Sequence, residues 1–297
     1  MTAVRRLWAL PSARFALVVL AGVALLVLLG EALAPHDPLR QYTDRVLEGP
    51  SADHLLGTDY VGRDVLSRLM AGTRLSVVGA AEAVLIGAAL GVPTGLASAW
   101  MGRRLEWLTL RVSDTLVILP FTVFAIAVAG TLGNGLQQAM IAIGVLLSPL
   151  FFRITRSVSL GLRTAQYVEA AELMGASHWW TLRTHIWSKV LPNVAVTCAQ
   201  ATGAALLVVA SLSFLGLGVT PPDPTWGGML SSDLGYLAQQ PWAPVFPGLL
   251  MMATVGSLNL LADAIRDVTG VAGATAGLRR RAAPTRRTKE RADVLVP

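Results

Sequence analysis

The chain has 297 residues, of which 54% are hydrophobic and only 14% charged, and its mean hydropathy is +0.58. That composition excludes an ordinary soluble fold, because several apolar stretches are long enough to cross a hydrocarbon core of ~30 Å as helices. Nearly all of the net charge of +6 sits in a tail from residue 271, and the single cysteine, Cys198, lies in an apolar run and excludes an intrachain disulfide or a cysteine metal cluster.

In chain order, residues 1–14 carry Arg5, Arg6 and Arg14 and precede an apolar run at 15–34. A basic start of this kind also opens a secretory signal peptide, but no small-x-small site before Pro35 is convincing for cleavage, so the run is expected to remain as a first span. Residues 35–74 hold Asp37, Asp44, Asp53, Asp59 and Asp64 among arginines and read as an aqueous loop. A second span is expected at 77–102. The charge-free stretch 115–152 is too long for one crossing, and Gly133-Asn134-Gly135 is a turn signal that divides it into a third and a fourth. After a basic segment at 153–192, residues 194–215 and 245–265 supply the fifth and sixth. The expected class is an all-α polytopic membrane protein with six transmembrane helices: a first span at 15–34, a core at 75–270, and a tail at 271–297.

Orientation follows from lysine and arginine beside the spans. With the N-terminus inside, the outer loops at 35–74, 131–138 and 217–244 hold five arginines, all in the first, and the other nineteen basic residues fall on the inner side. Both termini are therefore expected in the cytoplasm. The basic tail reads as a solvated positive-inside flank and not as a nucleic-acid site.

Energy-yielding chemistry is missing. The sequence has no G-x-x-x-x-G-K-[ST] phosphate loop, no H-E-x-x-H and no G-x-S-x-G elbow. His36, His54, His178 and His185 divide between opposite sides of the membrane, so at most two can share a metal, and no metal site is expected. Of the acidic residues near the spans, only Glu82 is expected well inside; Asp114 and Asp263 have Arg111 and Arg266 one helical turn away as ion-pair partners. Such sparse charge argues against a self-powered carrier. Gly87, Gly91 and Gly95, with Pro93 between, are spaced to let another helix approach closely.

Within the cytoplasmic loop expected at 157–192, residues 167–192 read as helix, turn, helix. Gly175 suits a left-handed stop, Ser177 a cap for the next helix, and Pro192 the start of the following span. Such an exposed pair needs a partner to cover Val168, Ala171 and Leu173. Its alternative is an interfacial helix with Trp179, Trp180 and Trp187 as an aromatic belt.

Glu169-Ala170-Ala171 followed by Gly175 resembles the loop motif of inner-membrane subunits of ABC importers, whose coupling helix docks into a cleft of the ATPase subunit. Leu56-Gly-Thr-Asp-Tyr-Val-Gly-Arg-Asp-Val-Leu-Ser-Arg68 resembles the signature of the C-type permease subunit of dipeptide, oligopeptide and nickel importers. So do residues 213–229, Pro241-Trp242, Phe246-Pro-Gly248 and 259–267. The resemblance covers nearly the whole chain apart from its termini.

It implies the type I ABC importer permease fold, with Glu169, Ala170, Ala171, Gly175 and Ser177 coupling to an ATPase and Gly57, Asp59, Gly62, Arg63 and Asp64 forming the external motif. It also implies a second homologous permease, two cytoplasmic ATPases that carry ATP and Mg, an external binding protein and a place in the bacterial plasma membrane. This chain itself would hold no cofactor and catalyse nothing. Peptides are the substrate it favours, with nickel or another small solute as the alternative; an ion-coupled carrier using Glu82 and a membrane-bound enzyme are the competing classes. One departure stands out. His185-Ile186 is followed by Trp187-Ser-Lys-Val190 before Leu191-Pro192, which adds about one α-helical turn, ~6 Å, to the second helix.

Overall fold

The structure, a computed structural model, describes residues 7–269 except 134, 217 and 220; the start of the N-terminal segment, Asn134 of the expected turn and the basic tail at 271–297 lie outside the described residues. Among these the chain is helical, and a single isolated bridge pairs Thr58 with Asp64. The helices are α1 (Pro11–Leu33), α2 (Val65–Trp100), α3 (Arg103–Ile118), α4 (Phe121–Leu132), α5 (Leu136–Arg163), α6 (Gln166–Leu173) and α7 (His178–Thr181). A π turn (Leu182–Ile186) joins α7 to α8 (Trp187–Phe214), and α9 (Trp226–Leu234) and α10 (Val245–Thr269) complete the chain.

Among the described residues five helices are long and apolar enough to cross a membrane: α1, α2, α5, α10 and the continuous helix from Trp179 to Phe214. The third span expected from hydropathy is divided. α3 ends at Ile118 and α4 starts at Phe121 because Pro120, the residue before α4, is extended and has no N–H to continue the ladder. α4 alone, with 12 residues, rises only ~18 Å.

The centre of the bundle is α2 against α5. Gly87, Gly91 and Gly95 line the contact: a Cβ at Gly91 would lie 2.7 Å from the Cβ of Phe151, and one at Gly95 would lie 2.7 Å from the Phe152 carbonyl oxygen. In lipid, packing of this closeness takes the place of the hydrophobic drive between helices. α8 packs on α2, α5 and α10, and α1 packs on α2 and α10. α1 leaves Phe15, Val18, Leu25 and Leu28 exposed, as a lipid-facing helix does.

Two boundaries differ from expectation. α2 begins at Val65, twelve residues early, because Arg68, which reads as a loop residue, is buried and satisfied by Asp59 and by the carbonyls of Pro38 and Pro222. Asp64 caps this start, accepting from the Ser67 N–H at 2.8 Å. Pro192 does not open the fifth span but lies inside α8. The lengthened helix is likewise no plain extra α turn: residues 187–190 open α8, and the π turn before them, closed by the Trp187 N–H on the Leu182 carbonyl, absorbs an extra residue.

Candidate functional site

At one end of the bundle α6 and α7 form an elbow. α6 stops at Gly175, whose φ of +85° is the left-handed value that a Cβ would oppose. The Gly175 N–H reaches the Glu172 carbonyl at 2.9 Å and the Ala176 N–H reaches that of Ala171 at 3.0 Å, which closes the last turn. Ser177 then caps α7, its Oγ accepting from the Trp180 N–H at 3.3 Å.

The two faces of α6 differ. Val168 and Ala171 are buried by this chain's own residues, and Val168 belongs to the buried cluster that holds Ile186 and Val190. The expectation that a partner must cover Val168 and Ala171 is therefore corrected, and Ala171 points away from any docking surface. Glu169, Ala170 and Gly175 are exposed, and so are Leu173 and Met174, at 83% and 82%. Two large apolar side chains held that far out form an exposed apolar patch on the elbow. An apolar cleft of about 760 Å³ opens between the end of α2 and the α7–α8 junction, lined by Leu96, Trp100, Trp179, Leu182, Arg183 and Trp187.

Ion pairs brace this end. Asp114 pairs with Arg153 on α5 at 2.9 Å, not with Arg111 as its spacing suggests, and Glu106 pairs with Arg156. The Arg163 guanidinium donates to the Ala99 carbonyl at 3.0 Å, and Asp263 keeps its expected partner Arg266 at 3.2 Å. The elbow is thus attached to a stiffened α2–α3–α5 frame.

The opposite end is closed by a cap built from residues 34–64, the start of α2 and the α8–α10 connection. Asp59 organises it: its Oδ1 accepts the main-chain N–H groups of Val61 and Arg63, while its Oδ2 receives the Arg63 guanidinium at 2.7 Å and lies 3.5 Å from that of Arg68. Gly57 and Gly62, both at φ +79°, turn the chain around this carboxylate. Trp226, fully buried, donates its indole N–H to the Leu69 carbonyl at 3.3 Å, and Tyr236 stacks on Tyr60. Asp233 is buried nearby, and burial, helped by repulsion from Asp59, pushes its carboxyl up to about 7.

Sequence spacing did not reveal the role of several cap residues. Trp226 reaches the start of α2, and Asp233 and Gln240 the first loop, across more than 150 residues, a distance no periodicity reports. Glu82, midway along α2, accepts a hydrogen bond from Gln137 in the first turn of α5. His36 and His54, eighteen residues apart, lie ring to ring at 4.8 Å beside Asp64.

Comparison with known proteins resolves what this architecture is. A family model described as binding-protein-dependent transport system inner membrane component matches residues 91–269. The chain belongs to that family. It is 36% identical over 255 residues to the glutathione transport system permease protein GsiD of Pectobacterium atrosepticum, covering 84% of this chain and 85% of that one. It is 36% identical over 256 residues to the nickel transport system permease protein NikC of Escherichia coli, covering 86% and 92%. Against the di/tripeptide transport system permease protein DppC of Pseudomonas aeruginosa it is 39% identical over 245 residues, covering 79% and 80%. The fold is that of a chain in inward-facing structures of the MetNI methionine ABC transporter, with a TM-score of 0.57 at 19% identity over 68% of this chain and 96% of that one. The chain is an ABC importer permease of the peptide and nickel group, an inner-membrane component that works with ATPase and substrate-binding partners.

Proposed function

We propose that this permease forms half of a translocation pathway for di- or oligopeptides and takes its energy from a separate ATPase chain that grips the α6–α7 elbow. The observation that carries the energy-coupling half of this reading is the two-sided α6. Its inner face, Val168 and Ala171, is bonded to the bundle, while Glu169, Leu173 and Met174 stand free to enter a partner. Motion of that partner then passes through Ile186 and Val190 into α8, in the manner of a rigid lever.

The complex contains this chain, a second homologous permease, two ATPases holding ATP and Mg, and an external binding protein that meets the Asp59 cap. This chain carries no catalytic residue or cofactor in that scheme. Both termini are cytoplasmic and the cap faces outward, in keeping with the arginine and lysine count. Peptides are the preferred cargo because relatives named for glutathione and di/tripeptide transport match along four-fifths of the chain.

Reconstitution of the complex in liposomes tests the reading. ATP-dependent uptake of dipeptides, with hydrolysis stimulated by peptide-loaded binding protein, is the expected result. Uptake of Ni²⁺ but not peptide would reassign the cargo. Uptake without ATP, abolished by Glu82→Gln, would replace an ATP-driven importer by an ion-coupled carrier. For the topology, a cysteine at Leu237, 44% exposed, should react with an impermeant thiol reagent added outside whole cells; reaction only from inside would invert it.

A further inference from the structure

The cap contains a cluster of metal-ligating side chains that neither the peptide pathway nor the ATPase contact uses. His36, His54 and Asp64 each bring one ligand atom into a group whose members all lie within 4.8 Å of one another. His54 Nδ1 is 2.9 Å from Asp64 Oδ1, and His36 Nδ1 is 3.9 Å from the same oxygen. Bonds of 2.0–2.2 Å at angles of 90–110° separate ligand atoms by about 3.0–3.4 Å, which falls between the two observed spacings.

An ordinary reading accounts for part of this. Asp64 caps α2 and orients His54 by a hydrogen bond, a common arrangement in proteins without metals. It does not account for His36, whose Nδ1 is buried yet has no hydrogen-bond partner, although its ring is turned toward Asp64. A buried, unpaired imidazole nitrogen costs free energy that a ligand would recover.

The surroundings are arranged as those of a ligand set are. Ser67 donates both its N–H, at 2.8 Å, and its hydroxyl, at 2.6 Å, to Asp64 Oδ2, which fixes the carboxylate and leaves Oδ1 to the two histidines. The same Ser67 hydroxyl oxygen accepts the His36 main-chain N–H at 3.0 Å. His54 is anchored by its N–H on Ser51 Oγ, and Tyr42 packs its ring edge-on to both imidazoles. Such outer contacts fix ring orientation in metal sites. Asp64 and His54 are closed off from solvent, while the His36 side chain keeps 26% of its surface and offers the way in.

We propose that His36 Nδ1, His54 Nδ1 and Asp64 Oδ1 bind one divalent transition-metal ion of the zinc type, with water completing the coordination. Two imidazoles and one carboxylate suit such an ion and not Ca²⁺ or Mg²⁺, which take oxygen ligands. The ion takes the place of the proton shared by His54 and Asp64, which leaves to solvent. Its effect is to tie the end of α1, through His36, to the middle of the loop and the start of α2.

The test uses the full chain, freed of any affinity tag, in lipid nanodiscs, stripped by chelator and then equilibrated with Zn²⁺ or Co²⁺. About one metal per chain is expected, with a Co²⁺ visible spectrum of nitrogen and oxygen ligation and a rise in Tm with Zn²⁺; His36→Gln should weaken binding by more than about tenfold. His36 is partly exposed, so that variant should fold, and its metal-free Tm should match the parent's. His185→Gln, at the opposite end, should leave binding intact. Failure of the parent chain to bind, or equal binding by His36→Gln, overturns the site.

Discussion

Gln240 donates its side-chain amide to the Thr58 carbonyl, 3.0 Å away and 182 residues earlier in the chain, and to the Glu48 carbonyl at 2.9 Å. The last connection of the fold is thereby fastened to its first loop by one buried side chain. Gln240→Ala would take the side-chain donor from the Thr58 carbonyl in a dry place, while the Glu48 carbonyl keeps the Thr58 N–H at 3.0 Å, at a cost of ~1–3 kcal/mol. A lower Tm for the purified chain, with limited proteolysis beginning in residues 35–64, is the expected result; an unchanged Tm would mean that water replaces the amide at no cost.

Asp233 makes the same cap depend on pH. Its carboxyl is raised from the ordinary 3.8 to about 7, chiefly by burial and secondly by Asp59, against the opposing pull of Arg68 and Arg63. The folded chain therefore holds this proton more tightly than the unfolded one. The resulting stabilisation is complete below a pH of about 4 and is lost as pH rises through about 7. Asp233→Asn, which mimics the neutral acid, should raise Tm at pH 8 and change it little at pH 4. The comparison of variant with parent at each pH cancels other titrating groups. Equal differences at both pH values would show that Asp233 is already ionised in the fold.

How much of this was legible in the sequence depended on the range of the interaction that fixes each feature. Hydropathy finds the apolar runs because it sums over one helix, and the Gly175 stop and Ser177 cap are local to one turn. Arg68 misleads because its neutralisation comes from Asp59 and from the distant Pro222 carbonyl, so a buried helix start reads as a loop. Asp114 misleads similarly: a partner one turn away is visible in the sequence, whereas Arg153, thirty-nine residues on, is placed by packing of α3 on α5. The two-sided nature of α6 was half visible, since the sequence shows Val168 and Ala171 on one face but not the cluster that buries them.

Gly91 and Gly22 both lie in long apolar helices, yet their substitutions should differ in sign. A Cβ at Gly91 meets Phe151 and the Phe152 main chain at 2.7 and 2.8 Å, and neither helix can yield without moving the α2–α5 contact. Gly91→Ala should destabilise by ~1–3 kcal/mol. Gly22 has nothing within 4 Å, so Gly22→Ala should be neutral or gain up to ~1 kcal/mol from helix propensity. Thermal unfolding of both variants in the same detergent checks the pair, and equal effects would remove the close contact as the explanation.

The elbow offers the sharpest separation of coupling from folding. Glu169 is exposed on the outer face of α6, so Glu169→Lys should insert, fold and assemble as the parent does while reversing the charge presented to the ATPase. Gly175 is different in kind. At φ +85° a β-branched side chain is strained by ~1 kcal/mol or more, with open space around it, so Gly175→Val should alter the angle between α6 and α7 without a clash. Ile186 and Val190, buried in the same cluster as Val168, tie that angle to α8. Substrate-stimulated ATP hydrolysis by the assembled complex should fall in both variants, while Tm falls only in Gly175→Val. Wild-type stimulation in both would separate the elbow from energy transfer and return Leu173 and Met174 to the lipid interface.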